Sequence, residues 1–201
     1  SPAALCCGEG GLLLTDDERL ASELRYLRAR SAEDQRSVSV GARVPLQARL
    51  SEIAAALGLA QLARLDELLE RRQAVEASYR EHMLSFEGIK PPYVAPGVDE
   101  VHWMLYVVHL GKRFTASACA QIVDDLRTES IESAMYCRPL HQQHAYAQQG
   151  WQRGQLPLTE RIADRAMALP FHAGLAPDHV RFIVQTLKDS SINVGAGAAI
   201  Y

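Results

Sequence analysis

The sequence predicts an α/β protein in two unequal parts joined by one long helix. Three observations carry this. From Leu50 to about Met83, apolar residues recur three or four apart, through Ile53, Leu57, Leu62, Leu65, Leu69, Val75 and Tyr79, which is the period of a helix with a buried stripe. After the proline-rich turn PPYVAPG, short apolar runs alternate with amphipathic stretches, as in helices laid on a sheet. Of the 201 residues, 48% are hydrophobic and 22% charged, which gives enough apolar side chain for a core and too little charge for a disordered chain.

The elements follow in order. Gly8, Gly10 and Gly11 permit a tight backbone path, and Leu12, Leu13 and Leu14 have the length of a short buried strand. Thr15, Asp16 and Asp17 supply capping oxygens for a helix with Glu18 in its first turn, Leu20, Leu24 and Leu27 on one face, and Arg25, Arg28 and Arg30 towards its end. Residues 31–47 are polar, contain Gly41 and Pro45, and lack a sustained period, so they read as a long loop. The long helix then starts near Ser51 and stops at Gly88, Pro91 and Pro92. Its length suits a bridge between domains or a dimer contact; a coiled-coil arm is the weaker reading, because Gly58 and the alanines before it break a strict heptad. Beyond it come a strand over Trp103–Leu110, a helix over Thr115–Arg127 and a strand over Ile131–Tyr136. A loop, a short helix over Thr159–Met167 and an extended piece over Ala168–Phe171 precede a last helix from Pro177 to about Lys188. The domain division that follows is 1–48, 49–86 for the long helix, and 87–201.

Several function classes are disfavoured. A net charge of −3 and a pI near 6.2 lack the basic excess of a nucleic-acid binder. No apolar run is long enough to span a bilayer, and SPAALCCGEGG has no basic stretch of the kind that opens a signal peptide. Cys6, Cys7, Cys119 and Cys137 form no C-x-x-C and no zinc spacing, so reduced thiols in a cytoplasmic protein are expected and no metal site. No P-loop is present, and Gly195-Ala196-Gly197 lacks the strand–helix setting of a dinucleotide site.

Five segments, in order, carry a specific resemblance. They are GEGGLLLTDDERLASELRYLR (8–28), RLSEIAAALGLAQLARLDELLERRQAVEASY (49–79), HWMLYVVHL (102–110), RPLHQQHAY (138–146) and LPLTERIADRAMALPFHAGLAPDHV (156–180). Together the chain resembles the DegT/DnrJ/EryC1/StrS family of pyridoxal-phosphate-dependent sugar aminotransferases. The resemblance implies the C-terminal part of a fold-type-I enzyme: the end of a large cofactor domain (1–48), a long bridging helix (49–86) and a small α/β domain (87–201). It further implies pyridoxal 5'-phosphate as cofactor, a nucleotide-linked keto-sugar as substrate, glutamate or glutamine as amino donor, and a cytoplasmic homodimer.

The family places its lysine in Pro-x-Lys-x-Leu-x-x-Gly-Glu-Gly-Gly, whereas this chain reads Pro2-Ala3-Ala4-Leu5-Cys6-Cys7-Gly8-Glu9-Gly10-Gly11. Counting back from the glycines puts Ala3 in the lysine column, and counting forward from the proline puts Ala4 there. The lysine expected between Ala3 and Ala4 is therefore absent, so no catalytic residue is assigned. Three readings stand open: a cofactor-bearing lysine omitted from the printed sequence, a replacement by alanine, or a fragment. The three lysines present, Lys90, Lys112 and Lys188, read as solvated surface residues. By resemblance, Gln47 and Arg49 fall where the family holds the cofactor phosphate across the dimer, with Arg43 a weaker candidate. His141 and Tyr136 fall on the substrate side, with His144 a lesser candidate. Two other functions remain: an inactive fragment or scaffold keeping only dimer and small-domain surfaces, and a related dehydratase, which would need histidine in the lysine column. Trp103 and Tyr106 read as core rather than as cofactor stackers.

Overall fold

A computed structural model describes residues 5–29, 46, 48–84, 86 and 88–197, with only the backbone of the last two. They group into two compact units that divide between Leu65 and Asp66.

Among the described residues, the first unit contains two helices whose starts were written locally. Helix α1 (Glu18–Arg28) begins where the Asp17 carboxylate accepts from the amides of Arg19 and Leu20 at 2.9 and 3.0 Å, which satisfies two orphan donors of the first turn. Glu18 in the first turn and Arg25 and Arg28 in the last complement the helix dipole. Helix α2 (Glu52–Leu62) is capped by Ser51, whose hydroxyl accepts from the Ala54 amide. Neither helix buries a residue fully, and among the described residues of this unit Ala29 is the one buried hydrophobic side chain.

The second unit has a core of its own. Helix α3 (Leu65–Met83) buries Arg72, Val75, Tyr79 and Met83, a single stripe at spacings of three and four. Strands β1 (Ile89–Lys90), β2 (Tyr106–Leu110), β3 (Ala134–Met135) and β4 (Ala166–Leu169) form an antiparallel sheet in the order β1-β2-β4-β3. On β2, Tyr106, Val108 and Leu110 are buried while Val107 and His109 are half-buried, the alternation of a pleated strand. Helix α4 (Ala116–Thr128) starts at Thr115, whose hydroxyl accepts from the Ala118 amide, and packs its Cys119, Ile122, Val123 and Leu126 face on the core. Short helices α5 (His144–Ala147) and α6 (Pro157–Ala163) follow. Helix α7 (Pro177–Gly197) completes the cluster with Val180, Ile183, Val184 and Leu187. At the centre the Tyr79 and Tyr106 rings stack at 4.4 Å, and the Tyr79 hydroxyl donates to the Pro170 carbonyl at 2.7 Å.

Five expectations are corrected. Leu12, Leu13 and Leu14 form no strand and are 80%, 75% and 86% exposed; a strand needs a neighbouring ladder, and none lies beside them among the described residues. The single long helix is two helices, interrupted at Ala63 and Arg64, where the Arg64 amide bonds the Gln61 carbonyl in a tightened turn. Strands β2 and β3 are shorter than their apolar runs, while β4 begins at Ala166, inside the expected short helix. The last helix does not stop near Lys188: it runs to Gly197, with Ser190 buried and its hydroxyl donating to the Asp125 carboxylate on α4. Lys188 is accordingly half-buried rather than solvated, and its ammonium donates to the His82 carbonyl at 2.7 Å, in the last turn of α3.

Candidate functional site

The RPLHQQHAY segment, expected as loop, folds into a 3-10 turn (Leu140–Gln142) followed by α5. The turn buries His141, which is 7% exposed, against Glu160 of α6, which is 6% exposed. His141 Nε2 lies 2.9 Å from Glu160 Oε1. The same carboxylate accepts from the Gly154 amide at 2.8 and 2.9 Å and from the Leu156 amide at 3.4 Å. Gly154 sits at φ +99°, a left-handed conformation that a side chain would strain, and this aims its N–H at the carboxylate. Burial alone would raise the Glu160 pKa, but the hydrogen bonds from His141, Gly154 and Leu156 outweigh it and hold the carboxyl below its ordinary value. An ionised carboxylate only accepts, so His141 donates through Nε2–H. His141 also lines a cavity of about 450 Å³ with Leu140, Tyr146, Gln149, Trp151, Leu156 and Thr159.

Tyr136 is 43% exposed and continues β3, its amide donating to the Ala166 carbonyl at 3.0 Å. His144 opens α5 and bonds Gln148 at its surface. Arg49 is exposed just before α2, in the first unit. Gln47, Arg43, Ala3 and Ala4 lie outside the described residues. Tyr106 is fully buried and stacked between Tyr79 and Phe171, as a core residue should be. Glu160 was not singled out by sequence: an acid in a helix first turn reads as a dipole complement, and nothing in the spacing announces its histidine 19 positions earlier.

The model of the DegT/DnrJ/EryC1/StrS aminotransferase family matches residues 3–188. The chain belongs to that family. It is 32% identical over 181 residues to a GDP-perosamine synthase of Caulobacter vibrioides, covering 90% of this chain and 47% of that protein. It is 29% identical to a dTDP-3-amino-3,4,6-trideoxy-alpha-D-glucose transaminase of Streptomyces venezuelae, covering 92% and 46%. Among solved structures, S. venezuelae DesV in complex with a ketimine intermediate matches with a TM-score of 0.73 at 27% identity, over 89% of this chain and 46% of that one. The sugar aminotransferase CalS13 from Micromonospora echinospora matches with a TM-score of 0.76 at 26% identity, over 92% and 49%. The fold is thus the α/β fold of family members, and the chain spans about half the length of the relatives it matches.

A pyridoxal phosphate site needs a lysine at the cofactor aldehyde and donors around the phosphate. None of the three lysines fits: Lys90 is exposed on a two-residue strand, Lys112 is exposed in a turn, and Lys188 is spent on the His82 carbonyl. Of the expected phosphate-binding pair, Arg49 is the one described residue, and it is exposed. The described part of the chain therefore does not by itself fit the cofactor.

Proposed function

We propose that this chain is part of a pyridoxal-phosphate-dependent aminotransferase that aminates a nucleotide-linked keto-sugar, with glutamate or glutamine as donor. The observation that supports this best is the family match over residues 3–188, together with relatives named as nucleotide-sugar synthases and transaminases. In this reading Gln47 and Arg49 contribute to the cofactor phosphate, and His141 and Tyr136 face the sugar. The protein works as a cytoplasmic homodimer, with residues beyond those described here supplying the lysine. The open leucines of the first unit favour a covering surface, since contiguous exposed apolar side chains mark contacts.

The test is the intact mass of the purified protein before and after borohydride reduction, paired with an amine-transfer assay on a nucleotide-linked keto-sugar. A stable cofactor adduct and glutamate-dependent transfer are expected. A mass equal to 22.2 kDa, with no adduct and no transfer, would replace this reading with that of an inactive fragment keeping only interaction surfaces.

A further inference from the structure

We infer that Glu160 is a positioning residue for His141, fixing it as the Nε2–H tautomer so that Nδ1 is the nitrogen left to accept a hydrogen bond from a ligand hydroxyl or amine. The sugar-facing part of this inference rests on the reading of His141 given above; the tautomer does not.

The arrangement is built rather than incidental. Both side chains are more than nine-tenths buried, and the carboxylate holds four contacts drawn from the histidine ring, the Gly154 amide to each oxygen, and the Leu156 amide. The two backbone partners are donors, and an ionised carboxylate leaves the histidine nitrogen only the donor's role, so the set suits a carboxylate. A glutamine at 160 would place an NH2 group opposite either the Gly154 amide or the cluster at Oε1, donor against donor. The Glu160 carboxylate thereby ties residues 154–156 and the 3-10 turn of His141 to one helix, α6. Buried imidazoles whose one nitrogen is held by a carboxylate have their tautomer and ring plane set by that bond. In the neutral ring, with the Nε2 proton hydrogen-bonded to the carboxylate, Nδ1 carries the lone pair. A neutral Nδ1 selects donors: it suits a sugar hydroxyl or an amine and rejects a bare carbonyl oxygen.

Long-range proton–nitrogen spectra of the intact protein, with the His141 resonance identified by its loss in His141→Gln, read the tautomer directly at neutral pH. The expected wild-type result is a protonated Nε2 and an unprotonated Nδ1. Glu160→Ala, which removes the acceptor, should mix or invert the tautomers and weaken nucleotide-sugar binding by roughly tenfold, the scale of one well-placed hydrogen bond. Wild-type protein with its proton on Nδ1 would overturn the inference without recourse to any variant, as would Glu160→Ala protein that keeps the wild-type tautomer. A shifted tautomer with unchanged affinity for the nucleotide sugar would overturn the ligand-facing role. Absence of amine transfer by every form would count against the proposed function alone, because the tautomer is measured without substrate.

Discussion

Two buried tyrosines that look alike in sequence are expected to respond oppositely to loss of their hydroxyls. The Tyr79 hydroxyl donates to the Pro170 carbonyl, so Tyr79→Phe leaves that acceptor unpaired and should cost about 1–2 kcal/mol in urea unfolding. The Tyr106 hydroxyl is buried with no hydrogen-bond partner, so Tyr106→Phe should be neutral or stabilising in the same measurement. Glu160 gives the pH signature. Its folded pKa is depressed, so its stabilisation is fully present above the unfolded carboxyl value of about 4.3 and is lost as pH falls through the lower folded value. Glu160→Gln should therefore be less stable than wild type at pH 7, and the gap should close in acid unfolding below about pH 4. A gap that is constant with pH would show that the carboxylate's charge contributes nothing.

Among the elements, the starts of α1, α2 and α4 and the ends of α3 and α4 were legible, whereas the break between α2 and α3 and the end of α7 were not. Asp17, Ser51 and Thr115 cap α1, α2 and α4 through oxygens that the sequence places just ahead of each apolar stripe. Thr115→Ala should cost about 0.5–2 kcal/mol, with Thr115→Ser restoring most of it, measured by thermal unfolding. The break at Ala63–Arg64 was hidden because apolar residues on either side stay three or four apart, and a short tightened turn leaves that period intact. The end of α7 was hidden for a different reason. SSINVGAG has weak intrinsic helix propensity, and it is helical because Ser190 reaches Asp125 on α4, a contact 65 residues away in sequence.

For the molecule as a whole, the core belongs to the second unit: every residue of its cluster lies between Val75 and Leu187. The first unit buries almost none of its leucines among the described residues. Limited trypsin digestion should therefore cut at Arg64 and upstream, and leave a protected fragment beginning at Leu65, identified by mass. Loss of both units at the same rate would contradict an independent core.

What the sequence determined by itself was local or cumulative: the caps, the 3.6-residue stripes, a strand ending at Leu110, and the ordered segments that identified the family. These depend on neighbours within a few positions, or on many weak matches in a fixed order. The tertiary structure alone decided which long-range partners meet. Tyr79 finds Pro170 at a separation of 91 residues, Lys188 finds the end of α3 at 106, and His141 finds Glu160 at 19. Such pairs depend on strand register and on how helices pack, which no window of sequence encodes. The same holds for Leu12, Leu13 and Leu14: their apolar character is plain in the sequence, but whether an apolar run becomes a buried strand is settled by what lies beside it.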